Sequence, residues 1–95
     1  MEMLTLKNGA EEPKPLVLSV TMSLQKIFED NPIVAYELVT MCREAGHKFF
    51  GDSEEVLKAW GLVQPDGKVH ESIRNIVLSA VQGDGLNMVL GSPTL

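Results

Sequence analysis

From Asn31 to Leu90 three apolar stripes at helical spacing are interrupted by Gly46, by Gly61, by the turn Pro65-Asp66-Gly67 and by Gly83-Asp84-Gly85. That rhythm constrains the chain more than any other feature. Stripes recurring at i, i+3, i+4 and i+7 specify amphipathic helices, and glycine supplies the left-handed residues that end them. Asn31-Pro32 opens the clearest helix, since Asn is a favoured cap and Pro is tolerated at the first helical position. Its stripe runs through Val34, Leu38, Met41, Cys42 and Ala45, with Gly46 at the expected end.

The remaining elements follow by the same reasoning. Leu16 to Leu24 alternate with period two, whereas Leu24, Ile27 and Phe28 have helical spacing, which predicts an extended Leu16–Leu18 leading into a helix from Val20 to Glu29. Asp52-Ser53-Glu54-Glu55 has the form of a capping box and starts a short helix from Ser53 to Trp60. Leu62-Val63 and Lys68-Val69 flank a Pro-Asp-Gly turn and predict a small hairpin. A fourth helix is expected from His70 to Gln82, followed by a strand at Leu86 to Leu90.

The expected fold is therefore mainly α (α+β): about four helices with a small antiparallel sheet made from the hairpin and the last strand. Residues 1–15 read as a flexible or extended arm, residues 16–91 as one compact domain and residues 92–95 as a tail. Within the arm, the alternation of Leu4 and Leu6 allows a short strand. The expected core comprises Leu24, Ile27, Phe28, Val34, Leu38, Met41, Val56, Leu57, Trp60, Ile73, Ile76, Val77, Val81 and Met88.

From Pro32 to Val69 the order helix, short helix, hairpin resembles that of winged helix-turn-helix domains. The resemblance implies that the second helix of the pair would enter a DNA groove, with the hairpin on the backbone. The cations available for that role are Lys48, Lys58 and Lys68. The would-be reading helix nevertheless begins with three acids around Ser53, and the would-be wing places Asp66 beside Lys68. A net charge of −5 makes the mean field repel phosphate and anionic lipid.

Reactive chemistry is thinly supplied. Cys42, His47 and His70 are the only soft ligands, and no Cys-x-x-Cys or closely spaced His pair completes a four-ligand metal site. A Cys/His enzyme would have to draw on Cys42 with His47 or His70. Gly83-Asp84-Gly85 closes a helix instead of opening one, the wrong order for a phosphate cradle. The acid pairs Glu11-Glu12, Glu29-Asp30 and Glu54-Glu55 read as surface charge. No catalytic residue, cofactor, metal or small-molecule substrate is expected.

These readings rank a non-catalytic interaction or regulatory domain first, a winged-helix DNA binder second and a Cys/His enzyme third. Tyr36, Phe49, Phe50, Leu78 and Val89 lie off the clean stripes or in connectors, and together they are the expected partner-binding patch. The partner is another protein or a second copy, which an edge strand could also pair. A lone cysteine and the lack of a long apolar run predict a cytoplasmic protein away from membrane.

Overall fold

The computed structural model describes residues 1–81. The chain is mainly α with a small sheet: strands β1 (Met3–Thr5) and β2 (Glu11–Pro13) precede helices α1 (Lys14–Asp30), α2 (Pro32–Arg43), α3 (Ser53–Ala59) and α4 (Glu71–Ala80). The order of helices, short helix, tight turn and helix is compatible with a winged-helix arrangement.

Among the described residues the sheet lies in the N-terminal arm and not at Leu62–Val69. β1 and β2 pair antiparallel with Met3 opposite Pro13 and Thr5 opposite Glu11, so the arm is a hairpin. Its turn is Asn8-Gly9, with Gly9 at φ 89° and the Asn8 side chain accepting from the Ala10 amide. Asn-Gly between alternating apolar residues is a strong hairpin signal, here masked by the prolines and charges around it. Docking completes it: Asn75 on α4 donates to the buried Glu12 carboxylate at 3.3 Å and accepts from Asn8 at 3.2 Å.

The expected wing hairpin at Leu62–Val69 forms a tight turn without strands. Gln64 N–H donates to the Lys68 carbonyl at 2.8 Å, but the Leu62 and Val63 amides both turn back to the Leu57 carbonyl. Those residues close the end of α3, whose helix stops at left-handed Gly61 (φ 79°), and so cannot build a ladder. The expected strand Leu86–Leu90 lies outside the described residues.

Helix α1 starts at Lys14, not Val20, so Leu16–Leu18 are helical. The period-two run is resolved by burial: Val20 and Leu24 point inward with Ile27 and Phe28, while Leu18 and Met22 face out. Pro13 and Pro15 suit a helix start, where a missing N–H removes no bond. Helix α2 ends at Arg43, short of Gly46, and Gly46 is not left-handed; Ala45 is exposed beyond the helix. The side chains of Asn31 and Asp52 make no cap bonds, so the capping box is unformed, and Glu55, the acid expected to answer Asp52, lies 3.9 Å from Lys58.

The core gathers Val20, Leu24, Ile27 and Phe28 of α1, Val34, Ala35, Leu38, Val39 and Cys42 of α2, Leu57 of α3, and Ile76 and Val77 of α4. Leu62, Val63 and Val81 complete it. Met41, Val56 and Ile73 are half-buried, and Trp60, expected inside, is 41% exposed. Met88 lies outside the described residues. Each large apolar side chain taken from water contributes about 1.5–3 kcal/mol before chain entropy is subtracted.

Candidate interaction surface

The connector between α2 and α3 is organised by Glu37. Its carboxylate sits on the buried side of α2, where Val34, Leu38 and Met41 are helical neighbours. Three groups satisfy it through four contacts: His47 Nε2 donates at 2.9 Å, the Phe50 amide at 3.1 Å, and Ser53 Oγ at 3.2 Å, with the Phe50 amide also 3.2 Å from the second oxygen. Burial alone would push this carboxyl up. The bonds from His47, the Phe50 amide and Ser53 outweigh burial and hold it below its ordinary value of 4.5. One side chain thus fixes where the connector leaves α2 and where α3 begins.

That anchor sets the aromatic residues. His47 stacks edge-on against Phe49 with ring centroids 5.5 Å apart, and Phe49 packs on the core. Phe50, next in the chain, is thrown outward and is 76% exposed. Tyr36 is half-exposed, one edge of its ring against Phe28 at 5.2 Å. Leu78 packs against the core, and Val89 lies outside the described residues. Of the five residues expected to form a patch, only Tyr36 and Phe50 offer substantial apolar surface among the described residues.

A second apolar surface was not foreseen. Along the outer side of α1, Ser19, Met22, Ser23, Lys26 and Glu29 face Trp60 across a shallow groove of about 650 Å³. Met22 is 68% exposed, and Leu18, one turn earlier on the same side, is half-exposed. The period-two alternation held the signal: a helix that places Val20 and Leu24 inside must place Leu18 and Met22 outside.

The soft ligands do not converge. Cys42 is fully buried, and burial pushes its thiol up to about 12 despite the charges of Arg74 and Arg43. His47 is held by Glu37, and His70 caps α4 by accepting from the Ser72 amide at 3.1 Å. Among the described residues no three His, Cys, Asp or Glu side chains gather as a metal site.

The cations named for a DNA reader are likewise placed. Lys58 pairs with Glu54 at 3.0 Å and lies 3.9 Å from Glu55, so the face of α3 is largely neutralised from within. Lys48 and Lys68 are exposed on separate connectors. No helix among the described residues is long and apolar enough to cross a membrane. Comparison with protein-family models, with curated proteins and with solved structures finds no match to this chain.

Proposed function

We propose that this chain is a non-catalytic interaction domain of the cytoplasm that associates with a second copy of itself through the outer side of α1 and Trp60. The observation carrying this reading is the groove in which exposed Met22 faces Trp60. Large apolar side chains exposed side by side are a cost in a monomer and a source of affinity in a complex, and tryptophan is enriched among interface anchors.

The second copy is favoured by the charges that border the groove. Lys26 and Glu29 both line the groove, and Lys26 lies 3.7 Å from Asp30 on its own helix, so the rim of this one surface carries both signs of charge, as a surface that meets its own copy about a two-fold axis requires. The buried, high-pKa thiol supports a role without nucleophilic chemistry, since the thiolate is the reactive form. The ion pairs of Lys58 weigh against phosphate contacts by α3. A lone cysteine fits a reducing compartment.

Sedimentation equilibrium tests the proposal. The wild-type chain should show a concentration-dependent dimer, and Met22→Asp should remain monomeric, with the helicity and melting temperature of the dilute, dissociated wild type. A wild-type chain that stays monomeric at high concentration overturns it.

A further inference from the structure

The turn of the arm hairpin sets a side-chain amide beside a backbone nitrogen that is free to attack it. Among the described residues the asparagines are followed by Gly9, Pro32 and Ile76. Proline has no N–H to lose, and the Ile76 nitrogen lies inside α4, crowded by a branched side chain and engaged in the helix ladder. Gly9 carries no Cβ to stand in the way. Asn8 and Gly9 are both exposed, so water reaches them. The Ala10 amide donates to Asn8 Oδ1 at 3.0 Å, which folds the side chain back across the Gly9 peptide. A donor in that place polarises the amide carbonyl and stabilises the oxyanion that forms when its carbon is attacked.

The same amide ties the hairpin to the helices. Asn8 Nδ2 donates to Asn75 Oδ1 at 3.2 Å, and Asn75 Nδ2 donates in turn to Glu12 Oε2 at 3.3 Å. Glu12 is buried, 7% exposed. A carboxylate can only accept, so Asn75 turns its NH2 to Glu12 and its oxygen to position 8, which must then supply a donor. Asparagine has one to give. Aspartate has none.

We propose that Asn8 is a self-modification site, at which the Gly9 nitrogen displaces the side-chain amide and the resulting acid detaches the arm hairpin from α4. The Gly9 nitrogen gives its proton to water or hydroxide and bonds to Asn8 Cγ; the Cγ–Nδ2 bond breaks, and the departing nitrogen takes up a proton and leaves as ammonia. A cyclic imide then joins the two residues. Water adds to either imide carbonyl and opens the ring. Breaking the Cγ–N bond gives aspartate, and breaking the backbone C–N bond gives isoaspartate, whose main chain runs through Cβ and Cγ. The sum consumes one water and releases one ammonia, with nothing oxidised or reduced. Both products leave position 8 with a carboxylate facing Asn75 Oδ1, so Asn75 loses either that partner or Glu12. Isoaspartate also lengthens the turn that the Gly9 N–H closes on the Leu6 carbonyl at 2.9 Å. The inference is independent of the α1 groove and of self-association.

Ageing the full native chain in mildly alkaline buffer tests the chemistry. Peptide mapping by mass spectrometry should place the exchange of amide NH2 for OH at Asn8 ahead of Asn31 and Asn75, with aspartate and isoaspartate resolved as two products. An Asn8 amide that survives in the native chain, whether or not a urea-unfolded sample loses it, would overturn the proposal, because the folded turn would then protect the group. The consequence is read on Asn8→Asp, which supplies one product directly. Hydrogen exchange of the β1 and β2 amides should quicken by about tenfold or more in that variant, with the α2 amides unchanged. Arm exchange equal to that of the wild type would overturn the proposal, and so would an increase shared by α2, which marks loss of the whole fold instead of release of the hairpin.

Discussion

Glu37 accepts a hydrogen bond from His47 Nε2 at 2.9 Å across ten positions of sequence, and through the same carboxylate it holds the Phe50 amide and Ser53 Oγ. An ionised carboxylate can only accept, so the imidazole presents an N–H at Nε2. The α2–α3 connector is therefore fastened at three points to one buried oxygen pair. Phe50 is exposed because the segment on either side of it is held.

Removing that acceptor should cost more than removing a surface charge. In Glu37→Ala the Phe50 amide, Ser53 Oγ and His47 all lose their partner in a partly dry setting, and the loss should be about 2 kcal/mol. Urea unfolding reads this as a lower midpoint with an unchanged slope. Equal midpoints for variant and wild type would mean that the connector does not depend on Glu37.

The same carboxylate should leave a signature in pH. Its folded-state pKa lies below the ordinary 4.5 because hydrogen bonds from His47, Phe50 and Ser53 outweigh the opposing effect of burial. A group depressed in the folded state adds stability above its unfolded pKa, and loses it as pH falls through the folded value, where the unfolded chain binds more protons. Unfolding midpoints measured from neutral pH down through 4.5 should fall in the wild type and fall less in Glu37→Gln. Parallel profiles for the two proteins would contradict the assignment.

Cys42 supplies a clock for opening of the core. It is fully buried between α2 and its neighbours, with a thiol pushed up to about 12, so almost no thiolate exists at neutral pH in the folded state. Alkylation should be slow in native protein and should accelerate in step with unfolding as urea is added. Rapid labelling of the native chain would place a reactive thiol where the structure has a buried one.

How much of this was legible depended on whether the signal was local. Stripes such as Val34, Leu38 and Cys42, or Ile76 and Val77, are read directly because helical period and burial coincide. Leu16–Leu24 supports two periods, and only packing against the rest of the core selects the helix and turns Met22 outward. Glu37 stands on an apolar stripe, which is a signal, yet its meaning depends on His47, Phe50 and Ser53, brought together by a connector of no regular structure. The wing failed as a hairpin because the Leu62 and Val63 amides serve the end of α3, a competition that turn chemistry does not reveal. Trp60 completes the helical spacing with Val56 and Leu57, but it caps the last turn of a short helix and looks over the edge of the core onto α1.

Trp60 is the only tryptophan in the chain, and it lines the groove through which two copies are proposed to meet. Its fluorescence therefore reports on that surface alone. On dilution of the wild-type chain the emission should move to the red as the ring becomes solvated, along one dissociation curve, while Met22→Asp should show the red-shifted emission at every concentration. Emission that is independent of concentration in the wild type would contradict association through this face.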